Sequence, residues 1–156
     1  MRMAVYPGSF DPITNGHLDV LKRALGVFDK VILLLAVNPN KKSSFTIDDR
    51  ISMMKEATKD IPAVSVDFFD GLTVDYCKKV GAKHIIRGLR AVTDFEYEFQ
   101  MAAANEFASP SIDMVFFMAR REETFISSTA INQLYDGGAD ISSLVPPCVL
   151  KAYKKR

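Results

Sequence analysis

Apolar runs and amphipathic stretches alternate along the whole chain. Residues 3–6, Met-Ala-Val-Tyr, predict a short strand, and after a turn-rich loop over 7–16, residues 17–28 place Leu18, Leu21, Leu25 and Phe28 at helical spacing. The purely apolar run 31–37 predicts a strand buried on both faces; beyond the polar loop 38–44, Thr46 or Asp48 caps a helix reaching about residue 60. Residues 64–69 predict a third strand, 72–80 a helix closed by Gly81, and 84–87 a fourth strand with Ile85 and Ile86 in its core. A long helix over 93–107, a strand over 114–118 and a helix over 127–135 follow, the last ending at Gly137-Gly138. Pro146-Pro147 opens a final amphipathic helix, 149–154.

Strands alternating with helices predict an α/β fold: a single doubly wound domain over 1–156 with a five-stranded parallel sheet, Rossmann-like in plan. In such sheets the ligand crevice lies beyond the carboxyl ends of the strands. Chemistry is therefore expected in the loops after the first, second, fourth and fifth strands.

Composition narrows the partners. The 156 residues carry 20 Lys+Arg against 19 Asp+Glu, a formal net charge of +1, and 48% are hydrophobic. One soluble domain of this size buries a full core. Near-neutral charge argues against nucleic acid or an anionic membrane as partner, since both draw affinity from many clustered cations; an anion must be held locally. Cys77 and Cys148 form no CxxC pair and are expected as reduced packing residues. Pro7, Gly8, Asp11 and Pro12 interrupt the first apolar stretch, and no apolar run is long enough to span a bilayer, so a cytoplasmic protein is expected.

The loop Gly8-Ser9-Phe10-Asp11-Pro12-Ile13-Thr14-Asn15-Gly16-His17 joins the first strand to the first helix. Gly8 and Gly16 permit close backbone approach, Ser9 offers a hydroxyl and an amide, and His17 stands in a first helical turn, where free N–H groups favour anions. Neither GxxxxGK[ST] nor GxGxxG is present, which removes the main support for kinase and dehydrogenase chemistry. Leaving the fourth strand, Arg87-Gly88-Leu89-Arg90 offers two planar forks for phosphate oxygens, and Glu98 on the next helix suits a sugar hydroxyl or an amine. Alternatively, Arg87 and Arg90 form surface ion pairs with Asp94, Glu96 or Glu98. Ile126-Ser127-Ser128-Thr129 places consecutive hydroxyls at a helix start, where they cap the helix and leave donors for a phosphate. Lys41-Lys42, in the loop after the second strand, is either a solvated pair or a phosphate contact.

The Thr14-x-Gly16-His17 and Ile126-Ser127-Ser128-Thr129 signatures resemble those of the nucleotidyltransferase superfamily. With NPNKK and IRGLRAVTDFEYE they resemble the bacterial phosphopantetheine adenylyltransferases over nearly the whole chain. The resemblance implies transfer of AMP from ATP to 4′-phosphopantetheine, giving dephospho-CoA and pyrophosphate in coenzyme A biosynthesis. It also implies Mg²⁺ and a homohexamer built as a dimer of trimers. By position it assigns Ser9, Lys41, Thr73 and Arg87 to phosphopantetheine. Ser9, Phe10, His17, Gly88, Leu89, Arg90, Glu98, Glu123, Thr124, Phe125, Ile126, Ser127, Ser128 and Thr129 go to ATP. His17 becomes the transition-state stabiliser, assisted by Lys41 and Arg90. Rivals are relatives that act on nicotinamide mononucleotide or make CDP-linked products, against which the Arg87 to Glu98 block speaks, and a non-catalytic nucleotide-binding module. No acidic residues are spaced as a metal-ligand cluster, so Mg²⁺ is expected to arrive on ATP.

Overall fold

The apolar runs become strands because a sheet covered on both sides buries successive side chains in opposite directions. The computed structural model describes all residues but Asn38, Thr124 and Phe125, with the backbone alone of Val92 and Thr93. β1 (Met3–Gly8), β2 (Lys30–Ala36), β3 (Val64–Phe69), β4 (His84–Leu89) and β5 (Asp113–Met118) form one parallel sheet in the order β3-β2-β1-β4-β5. Along β2, Val31, Leu33 and Leu35 join Ala4 and Tyr6 in one core, whereas Ile32 and Leu34 join Val5 and Ile85 in the other.

The first core is closed by α1 (Asn15–Ala24), α2 (Ile47–Thr58), α5 (Ser128–Asp136) and α6 (Pro147–Lys155), through Leu21, Met54, Ile131 and Val149. The second is closed by α3 (Thr73–Val80), with Val74 and Cys77 against the sheet. Both cysteines are free thiols, and burial pushes Cys77 up to about 11. α4 (Val92–Ala108) returns the chain to β5 and leaves Phe95, Tyr97, Phe99, Met101 and Phe107 exposed. Among the described residues no helix is long and apolar enough to cross a membrane.

The order in which strands are laid down reverses at β1. β2 lies on one side of it, paired from Met3↔Lys30 to Gly8↔Leu35. On the other side β4 pairs with β1 only at Ala4↔His84 and Val5↔Ile85. Beyond those pairs the two strands part, and a crevice opens between the carboxyl ends of β1 and β4, the topological switch point of the sheet.

The element order matches the sequence pattern, and the differences lie at the ends. α1 begins at Asn15, two residues before the expected start, because Thr14 caps it. It stops at Ala24, and the turn through Gly26 returns Phe28 to the core instead of extending the helix to 28. β1 and β4 each run two residues further than the apolar pattern indicated, since Pro7, Gly8, Gly88 and Leu89 continue the ladders with β2 and β5.

Candidate active site

Four loops at the carboxyl edge enclose a crevice of about 350 Å³. The β1–α1 loop supplies Ser9 and His17, the β2–α2 loop Lys41, the end of β4 Arg87, Gly88 and Arg90, and the segment after β5 Glu123 and Ile126 to Thr129. Thr14 caps α1 in a reciprocal arrangement: its Oγ1 accepts from the His17 amide at 3.3 Å, while its own amide donates to His17 Nδ1 at 3.0 Å. The ring is held from behind by Phe10, with centroids 4.9 Å apart. Phe10 itself is fully buried, at φ 40°, an uncommon region for a residue with a side chain. Gly8 accommodates it, because a Cβ there would come 3.1 Å from the Phe10 ring.

The half-buried His17 ring is kept neutral: burial first, then the charges of Arg87 and Arg90, lower its pKa from 6.5 to about 4. Its Nε2 is the nitrogen left to carry the proton, because a backbone amide can only donate and Nδ1 is its acceptor.

The two arginines form the expected ion pairs and also line the crevice. Arg87 donates from Nε and Nη2 to Glu98 Oε1, at 2.9 and 2.7 Å, and from Nη1 to the Pro7 carbonyl at 2.8 Å. Arg90 bonds Asp94 at 3.1 Å and the Ile126 carbonyl at 3.2 Å. Both nevertheless line the crevice, and each guanidinium has five N–H groups, so donors remain on the terminal nitrogens. Burial of Arg87 opposes its charge, but the Glu98 partner outweighs it and raises the arginine pKa. Glu98 is 5% exposed and its Oε1 is taken by Arg87, so a contact to a sugar or amine would use Oε2.

At the start of α5, Ser127 Oγ accepts from the Ala130 amide at 3.0 Å and Ser128 Oγ donates to the Pro12 carbonyl at 2.8 Å. Ser128 thus spends its proton on the protein, whereas Ser127 only accepts and keeps its O–H for a phosphate, beside the Thr129 hydroxyl and the first amides of the helix. Gly88 lets β4 approach α1, since a Cβ there would lie 3.1 Å from Val20 Cγ2. Lys41 also borders an adjoining polar pocket of about 200 Å³ with Ser9, Asp11 and Lys42.

Three of the residues singled out from sequence do not line the crevice: Phe10 lies beneath it, Leu89 is buried, and Thr73 opens α3 away from it. Thr124 and Phe125 lie outside the described residues. Sequence reasoning assigned no site role to Tyr6, Thr14, Asp11 or Arg50. Asp11 accepts from the amides of Ser44 and Phe45 at 2.7 and 2.8 Å, and Arg50, 3% exposed, donates to the Ser9 carbonyl at 3.0 Å and Ser43 Oγ at 3.3 Å. These bonds strap the Ser9 loop to the Lys41 loop from both sides. The detectable signals were Thr14 three residues before His17, a capping-box spacing, and an arginine among the apolar positions of α2.

A switch-point crevice built from cations, a helix-start histidine and helix N-termini defines a nucleotidyltransferase-type site, and a family model described as cytidylyltransferase-like matches residues 5–134. A phosphopantetheine adenylyltransferase of Caldanaerobacter subterraneus subsp. tengcongensis is 50% identical, over 96% of this chain and 93% of its own. Enzymes of the same name from Roseiflexus castenholzii (49% identical, 99% and 97% covered) and Clostridium novyi (50%, 97% and 94%) agree. The chain belongs to the phosphopantetheine adenylyltransferase family.

Proposed function

We propose that this enzyme transfers AMP from ATP to 4′-phosphopantetheine, giving dephospho-CoA and pyrophosphate. The observation that carries this reading is the convergence of His17, Lys41, Arg87 and Arg90 on one crevice, in a chain about half identical over nearly its whole length to enzymes of that name. In the proposed reaction a phosphate oxygen of phosphopantetheine attacks the α-phosphorus of ATP in line, a new P–O bond forms, and the bond to pyrophosphate breaks. The attacking group is already ionised near neutral pH, so no protein nucleophile is needed.

The residues act by holding two anions together and by meeting charge where it develops. Lys41 and Arg87, with Ser9, hold the acceptor phosphate. Arg90, the hydroxyls of Ser127 and Thr129 and the α5 N-terminus hold the nucleotide, with Gly88 giving it a close backbone wall. His17 donates from Nε2 to the α-phosphate as it becomes five-coordinate. Mg²⁺ fits this site as an ion carried by the ATP phosphates: among the described residues no group of three His, Cys, Asp or Glu side chains is arranged to hold a metal, and Asp94 and Glu98 are bound to arginines. When bound, it neutralises phosphate charge. The exposed Phe95, Tyr97, Phe99 and Phe107 of α4 support self-association, proposed as a homohexamer and testable by sedimentation.

Pyrophosphate release with ATP, Mg²⁺ and phosphopantetheine tests the reaction. Turnover with that acceptor, and none with nicotinamide mononucleotide or with CTP as donor, is expected; the converse preference refutes the assignment. Protein labelled covalently from α-³²P-ATP at a rate matching turnover would refute direct transfer.

A further inference from the structure

Tyr6, Tyr76 and Tyr153 are the deeply buried tyrosines, at 4%, 2% and 2% exposure. Two of them have an acceptor inside the protein: Tyr76 donates to Asp67 at 2.7 Å and Tyr153 to Asn132 at 2.6 Å. The Tyr6 hydroxyl has no hydrogen-bond partner among the described residues, although a buried hydroxyl left unpaired is destabilising. Every fully buried side-chain oxygen or nitrogen among the described residues is satisfied. The small exposed part of Tyr6 is therefore its hydroxyl, opening on the crevice that Tyr6 lines.

Its position follows from the fork in the sheet. Tyr6 is the first β1 residue beyond the last β1–β4 pair, Val5↔Ile85. Its ring is braced edge-on by Phe10, with centroids 5.6 Å apart. The hydroxyl lies beside Gly88, where a Cβ would stand 3.9 Å from it, so glycine leaves it uncovered. Arg87 and Arg90 border the same space. Burial raises the phenol's pKa well above its ordinary value, so the group stays protonated and is a donor at every working pH.

We propose that the Tyr6 hydroxyl is a substrate contact, donating a hydrogen bond to an anionic phosphate oxygen of a bound substrate beside Arg87 and Arg90. The proposal rests on the reading of this crevice as the adenylyl-transfer site. A neutral donor adds a directed bond between two cations without adding charge that would hold the product back. The phosphate belongs either to ATP or to the acceptor, and separate titrations distinguish them.

The test is Tyr6→Phe, which removes one atom that bonds nothing in the protein. Its melting temperature should equal or exceed that of the wild type. Its kcat/KM should fall about tenfold, with weaker calorimetric binding of either ATP or phosphopantetheine identifying the phosphate concerned. Wild-type turnover and binding in the variant would overturn the proposal, and so would a drop of several degrees in melting temperature, which would mean the hydroxyl is bonded within the protein. A wild-type protein that releases no pyrophosphate would refute the adenylyl-transfer reading instead. Titration of both proteins with ATP and with inorganic phosphate then decides Tyr6: weaker binding by the variant sustains the contact, and equal or absent binding overturns it.

Discussion

The backbone N–H of Thr14 donates to Nδ1 of His17 at 3.0 Å, and because an amide can only donate, the cap of a helix chooses which nitrogen of a crevice histidine carries the proton. The same threonine returns the contact, its Oγ1 accepting from the His17 amide. Capping and site chemistry are thus one structure: the bonds that start α1 also orient the ring and present Nε2–H to the crevice.

For His17→Ala, kcat should fall roughly 10²–10³-fold, the effect of one preorganised donor, with smaller changes in KM. Steady-state kinetics checks this, and a near-normal kcat would remove His17 from the transition state.

Acid should separate folding from function at this residue. The folded ring titrates at about 4 and the unfolded one near 6.5, so between these values the unfolded chain binds more protons and stability falls as pH falls. At about 1.4 kcal/mol per unit the loss is at most roughly 3.5 kcal/mol, less for water reaching the half-buried ring. Urea unfolding at pH 7 and 4.5 should show a smaller acid loss for His17→Gln than for the wild type. Above pH 6.5 the two should show the same pH dependence from this group.

Thr14→Ala deletes the side-chain half of the cap but keeps the amide. It also removes the Oγ1 contact to His17 Nδ1 at 3.1 Å, and should cost about 1 kcal/mol of stability while leaving most of kcat, because the amide bond to Nδ1 survives. Thr14→Ser should restore the melting temperature.

Lys41→Ala and Arg87→Ala should weaken phosphopantetheine binding tenfold or more, with a smaller effect on ATP. Calorimetry with each substrate alone measures the difference. Equal losses for both substrates would count against a dedicated acceptor-phosphate site.

Arg50→Met should destabilise the fold by about 1–3 kcal/mol, since it leaves the Ser9 carbonyl and Ser43 without a buried partner. It should also raise KM for phosphopantetheine, because the Ser9 and Lys41 loops lose their strap. Chemical unfolding and kinetics at a permissive temperature read the two effects apart.

The elements were legible because burial acts on periodicity. The run Val31 to Ala36 is apolar at every position, which only a strand covered on both faces requires, and Gly81 closes α3 at φ 75° where glycine alone is at ease. The gathering of the site loops was legible too: Ser9, His17, Lys41, Arg87 and Arg90 line one crevice. The limits of α1 were less legible, since Leu25 and Phe28 continue the helical spacing although the backbone has already turned at Gly26.

The sequence by itself determined the order of strands and helices, the α/β class and the groups capable of holding phosphate, because these follow from local periodicity and residue chemistry. Only the tertiary structure decided which of those groups meet. Thr73, Leu89 and Phe10 fall outside the crevice lining, and Tyr6, Asp11 and Arg50 enter the account from positions that read as core or as surface. The physical reason is that contacts such as Arg50 to Ser9, or Arg87 to Glu98, join residues on different elements. Strand order and the parting of β1 from β4 fix those distances, and neither is written in the spacing of residues along one element.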